Sequence, residues 1–598
     1  MAIKVSDYIA KHLVGYGVKH IFMITGGGAM HLNNSFGRAK ELKCVFHHHE
    51  QACAIAAEGY ARAGKRLAVV NVTSGPGGLN ALTGVMGQWT DSVPVLYISG
   101  QVKTETTIGS CPKLALRQLG DQEVDIISIV KPITKFAISI RDPNDIKRFL
   151  DKAIYIATTG RPGPVWLDIP LDVQGALVDE IRMPGYNKRK DTLSVNKKVN
   201  SRISWAMKML KNSKRPVLIA GHGIRIAGVQ KLLPGLIEKL GIPVLTTFNG
   251  FDLVPSDNRY FIGRIGTFGS RAGNFALQNA DLVLSVGSRN NIRQVSYDWD
   301  SFARSAKKII VDIDSAELKK PTIRPDLAIN CDAGYFLKKL SNQVPLGLEW
   351  NWWLNWCRER KNRYPVVLKK YQKSRAVNPY YFIQKLTQLS KASDVIVAAN
   401  ASACVVLFQA GVVKKTQRIF WNSGCAAMGY DLPAAIGASL VNNVKNTICI
   451  SGDGSIQMNI QELQTIVQYK LPVKIFLLNN QGYISIKQTQ ENFFGLPYIG
   501  CDSGSGISFP SFSKIAKAYD IKAMVITGHR RMEAEINRAL KFKGPLLCDV
   551  ILENSYKFSP RLSSERMRDG RIISKPLEDM APFLSREELR ANMLQEVK

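Results

Sequence analysis

The sequence predicts an α/β protein of three consecutive domains, each built on a doubly wound parallel sheet. Two observations support this prediction: short apolar runs recur along the 598 residues, and turns rich in glycine or polar residues follow them. Runs that are apolar on both faces are typical of parallel strands covered by helices. The clearest examples are RLAVVNVT (66–73), VPVLYISG (93–100) and ADLVLSVGSR (280–289).

Polar and charged stretches divide these runs into three blocks. We predict an N-terminal domain over residues 1–180, a central domain over 196–345 and a third domain over 376–556, followed by a tail over 557–598. The first boundary falls in the charged segment 183–200, and a Trp-rich basic segment precedes the third domain. Ligands of open α/β sheets bind at the carboxyl ends of strands, which is where the Gly-rich and polar clusters stand.

The composition of the chain indicates which binding partners and which cellular compartment to expect. The chain has 80 Lys and Arg against 48 Asp and Glu, a net charge of +32. The basic residues are spread out and form no basic–aromatic motif, so nucleic acid is not favoured, and attraction of anionic substrates is the alternative. The ten Cys form no CxxC pair, the N-terminus lacks a signal-peptide core, and no run of about 18 apolar residues could span a membrane. We therefore expect a cytoplasmic protein that does not enter a membrane.

Two polar clusters follow the ends of neighbouring predicted strands in the third domain. Asp453 lies in a GDGS turn, and Asn480 lies 27 residues later in an NNQG turn. Because the ends of parallel strands meet in a βαβ unit, the Asp453 carboxylate, the Asn480 amide oxygen and the Gly482 carbonyl can bind one Mg²⁺. Gly454 and Ser455 begin the intervening helix, whose N–H groups suit a diphosphate.

With these motifs the sequence resembles the thiamine-diphosphate enzymes, specifically the acetolactate synthase family of carboligases and decarboxylases. The resemblance implies that the first domain binds the pyrimidine of thiamine diphosphate, the central domain can hold FAD, and the third domain binds the diphosphate and Mg²⁺. It also implies a homodimer or homotetramer, because the cofactor would lie between domains of two subunits. It covers nearly the whole chain, since TGGGAMHL (25–32), HEQACAIAAEGYARA (49–63), VTSGPGGLNALTGV (72–85), GRPGPVWLDIP (160–170) and MGYDLPAAIGA (428–438) follow the family's order.

The resemblance assigns roles to individual residues. Glu50 matches the carboxylate that shares a proton with the aminopyrimidine ring, and Met428 matches the apolar residue that bends the cofactor. Gly27 and Gly28 match a glycine pair beside the thiazolium, where a missing side chain admits substrate. Gln122 matches a glutamine beside the reacting carbon. The other residues implied at the cofactor are Thr73, Asn80, Asp453, Gly454, Ser455, Asn480 and Gly482.

The run His47, His48 and His49 before Glu50 raises the alternative of a metal site. Adjacent residues of an extended chain point to opposite faces, so three consecutive histidines do not easily bind one metal. We therefore interpret Glu50 as the functional residue of the group and expect His49 at the site entrance.

The flavin site follows from the resemblance alone, because the sequence has no GxGxxG motif to support it. Arg161 and Arg289 match family positions at the flavin and substrate channel, and Asp314 and Asp332 lie in the segments that pass the nucleotide end. The expected role of FAD is structural, because decarboxylation followed by ligation needs no net oxidation.

The implied reaction decarboxylates a 2-oxo acid, expected to be pyruvate, and transfers the acetyl unit to a carbonyl acceptor. Three acceptor-pocket positions depart from the family: Asp121 replaces a Phe, Thr267 a Met and Thr489 a Trp, beside Arg289. We therefore hypothesise a keto-sugar nucleotide as acceptor, as in surface-polysaccharide pathways. The alternatives are acetolactate synthase, a simple 2-oxo acid decarboxylase and an inactive structural or regulatory paralogue, although the last has no need of Glu50, Asp453 and Asn480.

Overall fold

The computed structural model describes residues 2–187, 197–344, 349–441, 444–567 and 569–594. It contains three six-stranded sheets in which every strand pair is parallel, so the predicted fold class is confirmed. Along these described parts, no helix has both the length and the apolar composition needed to cross a membrane.

The first sheet is formed by residues 20–170, and its central strands are buried on both faces, as the apolar runs indicate. Its strands are β2 (His20–Met23), β3 (Lys43–Phe46), β4 (Ala68–Val72), β5 (Val95–Gln101), β6 (Phe136–Ser139) and β7 (Val165–Pro170), in the order β3-β2-β4-β5-β7-β6, while β1 (Ala2–Lys4) pairs antiparallel with β8 (Leu177–Asp179). The helices are α1 (Val5–Tyr16), α2 (Met30–Arg38), α3 (Glu50–Gly64), α4 (Pro76–Asn80), α5 (Leu82–Asp91), α6 (Ile126–Val130), α7 (Ile146–Thr158) and α8 (Leu171–Gly175).

The second sheet is formed by residues 216–330. Its strands are β9 (Pro216–Ala220), β10 (Val244–Thr246), β11 (Phe261–Arg264), β12 (Leu282–Val286), β13 (Lys307–Asp312) and β14 (Leu327–Asn330), in the order β11-β10-β9-β12-β13-β14. The chain thus winds outward from β9 on one side and from β12 on the other, which leaves a crevice between these two strand ends. The helices are α9 (Lys197–Lys211), α10 (Gly223–Ile226), α11 (Leu233–Leu240), α12 (Arg271–Gln278), α13 (Ile292–Val295), α14 (Ala333–Ser341) and α15 (Asn351–Arg363).

The third sheet is formed by residues 395–551. Its strands are β15 (Val395–Ala398), β16 (Arg418–Phe420), β17 (Thr447–Gly452), β18 (Val473–Asn479), β19 (Lys522–Ile526) and β20 (Leu546–Ile551), in the order β16-β15-β17-β18-β20-β19. The helices are α16 (Pro379–Leu389), α17 (Ser402–Ala410), α18 (Asp431–Ser439), α19 (Asp453–Gln457), α20 (Glu462–Gln468), α21 (Ile484–Phe493), α22 (Phe512–Ala518) and α23 (Met532–Lys541).

The segment after residue 556 packs against the central domain. Asn274 Nδ2 donates to the Leu577 carbonyl at 3.0 Å, and Gln278 Nε2 donates to Glu578 Oε2 at 2.6 Å. The tail therefore joins the third domain back to α12 of the central domain. Its elements are β21 (Arg561–Leu562), β22 (Ser564–Arg566), β23 (Ile572–Ser574), β24 (Met580–Ala581) and α24 (Arg586–Ala591).

The first and third domains meet where α3 crosses α18. A Cβ atom added to Gly59 would lie 2.1 Å from the Ala434 carbonyl oxygen, and one added to Gly437 would lie 1.8 Å from the Ala56 carbonyl oxygen. The two helix backbones approach so closely because glycine stands at each contact, and this crossing fixes the position of Glu50, the first residue of α3.

Candidate active site

The structure brings the GDGS and NNQG turns together at the carboxyl edge of the third sheet. β17 ends at Gly452 and its parallel neighbour β18 ends at Asn479. Asp453 Oδ2 accepts hydrogen bonds from the backbone N–H of Asn480 at 3.0 Å and of Gly482 at 3.2 Å. Its Oδ1 accepts from the Gly454 N–H at 2.8 Å. The carboxylate is thus held by three backbone donors from both strand ends.

The charges and donors at this edge fit a hard cation. Asp453 is 3% exposed, and burial raises the pKa of its carboxyl to about 6 against the opposing effect of the backbone donors. Asn480 Oδ1 is buried without a hydrogen-bond partner in the described residues, while its Nδ2 donates to the Tyr556 hydroxyl at 3.4 Å. A cation beside both oxygens would satisfy the Asn480 amide and favour the ionised Asp453, and Mg²⁺ prefers such oxygens.

Clusters of three His, Cys, Asp or Glu that could hold a metal are absent from the parts of the chain that the structure describes. The Asp453 edge does not belong to that class, because it offers one carboxylate, one amide oxygen and backbone carbonyls. The protein typically supplies few ligands to a Mg²⁺ ion that also binds phosphate oxygens and water.

Ser455 and Met428 are linked through a neighbouring turn. The Ser455 hydroxyl donates to Asp431 Oδ1 at 2.7 Å and accepts from the Gly429 N–H at 2.9 Å. This side chain therefore fixes the turn that carries the half-buried Met428. At the same edge, Gly454 leaves room for a ring, since a Cβ there would lie 2.0 Å from the Tyr483 side chain.

Glu50 is supported by residues of its own domain. His49 caps α3 by accepting from the Gln51 N–H at 3.1 Å, so that Glu50 is the first residue of the helix. Glu50 Oε2 accepts from Asn80 Nδ2 at 2.9 Å. The turn that leads to Asn80 approaches closely, because a Cβ on Gly77 would lie 3.6 Å from Glu50 Oε1 and 2.8 Å from the Thr73 methyl group.

The three histidines before Glu50 occupy different environments. His47 is buried, and burial lowers the pKa of its imidazole to about 4. His48 is exposed and its backbone N–H donates to Glu462 Oε1 at 3.0 Å. His49 caps the helix through its ring Nδ1. The three histidines therefore differ in exposure and in hydrogen bonding.

The glycine pair and Gln122 lie in loops between elements of the first domain. Gly27 and Gly28 come after β2, and Gln122 comes after β5. A Cβ on Gly28 would lie 2.6 Å from Ser74 Oγ, so a larger residue there would have to displace the Ser74 hydroxyl, whereas Gly27 faces open space. Gln122 is exposed and left-handed, with φ of 59°. Its carbonyl oxygen would lie 2.2 Å from a Cβ on Gly75, so these two loops touch.

The residues around Glu50 and those around Asp453 are not joined directly by hydrogen bonds in the described part of one chain. Among the described residues, no hydrogen bond joins Glu50 to Asp453 or Asn480. Neighbouring residues provide an indirect link: Asn459 Nδ2 donates to Gln51 Oε1 at 3.0 Å and to the Gly429 carbonyl at 2.8 Å.

A second cleft lies in the central domain at the crevice between β9 and β12. Its cavity volume is about 120 Å³, it is open to solvent, and Arg161, Arg289 and Asp332 line it. The loops after β9 and β12 touch, because a Cβ on Gly223 would lie 2.7 Å from the Gly287 Cα atom. A crevice at a reversal of strand order is a common place for a nucleotide.

Several of the residues predicted at this cleft form hydrogen bonds within the protein. Arg161 Nη1 contacts Asp314 Oδ2 at 2.8 Å and Glu317 Oε1 at 3.0 Å, and Asp332 Oδ1 caps α14. The sequence reasoning missed Glu317 and Asp312, which also line the cleft. Burial raises the pKa of Asp312 to about 6. Both residues lie at or after the end of β13, where ligands of such sheets bind, and this position could have indicated them from the sequence.

The residues predicted at the acceptor pocket make local contacts in the structure. Asp121 and Thr489 are exposed, and the Thr489 hydroxyl donates to the Ser485 carbonyl at 2.9 Å within α21. Thr267 Oγ1 donates to the Arg293 carbonyl at 3.0 Å. In the described residues of one chain, no hydrogen bond connects any two of the three.

Comparisons with known proteins extend over almost all of the chain. Three family models match it: "Thiamine pyrophosphate enzyme, N-terminal TPP binding domain" over residues 3–129, the "central domain" over 203–340, and the "C-terminal TPP binding domain" over 401–550. The chain is 34% identical to the acetolactate synthase large subunit of Porphyra purpurea over 574 residues, which cover 94% of each chain. It is 33% identical to acetolactate synthase 3, chloroplastic, of Brassica napus, over 94% of this chain and 85% of that one.

Proposed function

The chain belongs to the thiamine pyrophosphate enzyme family as an acetolactate synthase-like member, and from this premise we propose the reaction that it catalyses. A 2-oxo acid, pyruvate, loses CO₂, and the remaining two-carbon unit joins the carbonyl carbon of a second 2-oxo acid. The name of the relatives, acetolactate synthase, supports this acceptor. The single structural observation that carries the proposal is the unpartnered Asn480 oxygen beside the buried Asp453, because it fits the cation that such a cofactor needs.

Each half of the proposed site has a defined task. Thiamine diphosphate, when bound, supplies the carbon nucleophile. Asp453, Asn480 and the Gly482 carbonyl would hold Mg²⁺, whose remaining positions are open to diphosphate oxygens and water. Glu50 would exchange a proton with the aminopyrimidine ring, and Asn80 keeps its carboxylate in place. Met428 would support the ring from the third domain.

We propose that two chains complete each site. Glu50 and Asp453 lie in different domains, and among the described residues of one chain no hydrogen bond joins them directly, although Gln51 and Asn459 link their surroundings. A homodimer, or a homotetramer built from such dimers, would pair the first domain of one subunit with the third domain of its partner.

FAD is the proposed ligand of the central cleft. The cleft has the position expected of a nucleotide site, and Arg161, Arg289 and Asp332 line it. The role would be structural, because the proposed reaction has no net redox step. A flavin absorbance spectrum of the purified protein tests this assignment.

A larger polar acceptor, such as a keto-sugar nucleotide, is the second candidate. It is favoured by Asp121, Thr267 and Thr489, which replace three large apolar side chains of the family pattern. The loss of each apolar wall changes discrimination by about 1–3 kcal/mol, so three changes together can shift the choice of acceptor.

The proposed compartment is the cytoplasm. All ten cysteines are free thiols, six of them buried. Unpaired cysteines in this number are typical of a reducing compartment.

Mass spectrometry of the products tests both candidates in one experiment. The protein is incubated with Mg²⁺, thiamine diphosphate and pyruvate, alone or with 2-oxobutanoate or a keto-sugar nucleotide. Acetolactate from pyruvate alone supports the first candidate, whereas an acetylated sugar nucleotide with little acetolactate supports the second. Absence of CO₂ release from every mixture contradicts both, and Glu50→Gln provides the control for background reaction.

A further inference from the structure

A large basic cleft lies between the segment that precedes α16 and the start of the tail. We call it the basic cleft. Its cavity volume is about 830 Å³, which lies within the roughly 300–1,000 Å³ of common ligand pockets, and it is open to solvent. Five basic side chains line it against one acid, Glu553. The basic residues are Lys370, Lys373, Arg375, Lys557 and Arg561.

The charges of the basic cleft are poorly neutralised by the protein. Lys557 pairs with Glu491 at 3.4 Å, but none of the other four basic side chains forms an ion pair with a described residue. Glu553 is itself engaged, since it accepts hydrogen bonds from Ser374 Oγ and Ser555 Oγ, both at 3.1 Å. The cleft therefore carries a surplus of positive charge that an anion from solution would neutralise.

Arg561 is the residue that distinguishes this cleft from a patch of exposed lysines. It is half-buried in β21, and burial lowers the pKa of its guanidinium against the opposing effect of Glu491, which forms its ion pair with Lys557 and not with Arg561. A half-buried guanidinium without a carboxylate partner is costly unless another anion pairs with it. Its planar group can donate two parallel hydrogen bonds to a phosphate.

The wall of the basic cleft contains aromatic and polar groups besides the cations. Tyr371 and Tyr380 stack with ring centroids 5.6 Å apart, and the Tyr380 hydroxyl accepts from the Ser559 N–H at 2.8 Å. Tyr556 also lines the cleft, and its hydroxyl meets Asn480 Nδ2 at 3.4 Å. None of Asp453, Gly454, Asn480 and Gly482 lines the cleft, so it is separate from the proposed cofactor diphosphate edge and joined to it through Tyr556.

From the surplus charge, the unpaired half-buried Arg561 and the size of the cavity, we infer that the basic cleft is a second anion site that binds a diphosphate group. The diphosphate comes either from inorganic pyrophosphate or from a nucleoside diphosphate. Its binding ties the start of the tail to the segment before α16. This inference does not depend on which carbonyl acceptor the enzyme uses.

Calorimetric titration of the holoenzyme tests the site. The protein is saturated with thiamine diphosphate at fixed free Mg²⁺ and titrated with pyrophosphate, UDP or uridine, while release of thiamine diphosphate is monitored. We expect pyrophosphate and UDP to bind, uridine not to bind, and the cofactor to stay in place. Equal affinities for pyrophosphate and UDP would show that the diphosphate group alone accounts for binding. Tighter binding of UDP would show that the site also recognises the nucleoside.

Variants locate the binding. Arg561→Met and Lys373→Met are each expected to weaken pyrophosphate binding about 10-fold or more, as expected for loss of one charge-assisted contact. Lys541→Met, at the exposed end of α23, is the matched control and should bind like the wild type. Lys373 is exposed, so its variant keeps the test valid should Arg561→Met fold poorly. No binding to the holoenzyme, equal binding by all three variants, or release of the cofactor by the anion would overturn the inference.

Discussion

The backbone N–H of Asn480 donates to Asp453 Oδ2 at 3.0 Å, across the ends of two neighbouring parallel strands. This bond orients the carboxylate from the strand that also supplies the unpartnered Asn480 amide oxygen. The Asn480 backbone meets the Asp453 carboxylate because β17 and β18 are adjacent in the sheet. The pair makes the third domain the part of the molecule where binding of a metal is best tested.

Asp453→Asn is expected to weaken the binding of Mg²⁺ and thiamine diphosphate by at least about 10-fold, because it removes the charged ligand but keeps the shape of the side chain. Asn480→Ala should act in the same direction. Titration of the cofactor at several Mg²⁺ concentrations measures the effect. The exposed Asp257→Asn controls for the change of net charge. Unchanged affinity in Asp453→Asn would show that the metal binds elsewhere.

Glu50→Gln is expected to lower turnover by about 10²–10⁴-fold, which is the usual contribution of a positioned acid or base. The variant should fold normally and bind the cofactor, because an amide can still accept a hydrogen bond from Asn80. Release of CO₂ from pyruvate and the melting temperature are the two measurements. Glu41→Gln, at an exposed position of the same domain, should leave both unchanged. Full activity in Glu50→Gln would remove Glu50 from the mechanism.

The sequence predicts the metal edge because its signals are local. Asp453 and Asn480 each directly follow an apolar strand, and neighbouring parallel strands bring their ends together whatever the rest of the fold does. The three sheets follow from the same pattern. Glu50 could be proposed only through the resemblance, since its immediate surroundings give no sign of a partner such as Asn80, 30 residues away.

Other features depend on packing between distant segments and leave no periodic signal. The Ser455 hydroxyl donates to Asp431, and Gly28 packs against Ser74, which follows another strand. The basic cleft forms only when the tail folds back beside residues 370–376. Their spacing in the chain is irregular, so tertiary contacts alone decide these arrangements.

Arg62→Met is expected to destabilise the protein by about 3–5 kcal/mol, because it leaves two buried carboxylates without their cation. Arg62 contacts Glu58 Oε1 at 2.8 Å and Asp91 Oδ2 at 2.7 Å, with all three side chains almost fully buried. The free energy of unfolding in urea measures the loss. The solvent-accessible pair of Arg148 and the half-buried Asp145 provides the control, since Arg148→Met should cost less than about 1 kcal/mol. Similar losses in both variants would contradict the burial argument.

Asp168 is expected to make stability fall as the pH rises from about 4 to about 7. Burial raises the pKa of this carboxyl to about 7, so the folded protein holds a proton there that the unfolded chain has already lost. Above about pH 7 both states are ionised and this contribution levels off. Asp168→Asn mimics the neutral form and should become more stable relative to the wild type across that range.

Urea denaturation of the wild type and of Asp168→Asn at pH 5, 6, 7 and 8 gives the comparison, because the difference between them isolates one group. Ser99 Oγ donates to Asp168 Oδ1 at 2.6 Å, and this hydroxyl can rotate to suit an amide. A difference in stability that stays constant over this range, or that shrinks as the pH rises, would contradict the prediction. Asp257→Asn should show no comparable trend.

Gly437→Ala is expected to disrupt the contact between the first and third domains, because the new Cβ would lie 1.8 Å from the Ala56 carbonyl oxygen. Neither backbone can move without displacing α3 or α18, so we expect a loss of at least about 1–3 kcal/mol, as for other overpacked sites. Displacement of α3 also moves Glu50, so turnover should fall with stability. Gly235→Ala in α11 is the matched control, since its Cβ meets nothing within 4 Å and alanine favours a helix by about 0.5–1 kcal/mol. The two substitutions add the same methyl group, so opposite changes in the melting temperature would assign the effect to the α3–α18 crossing, and equal changes would exclude it.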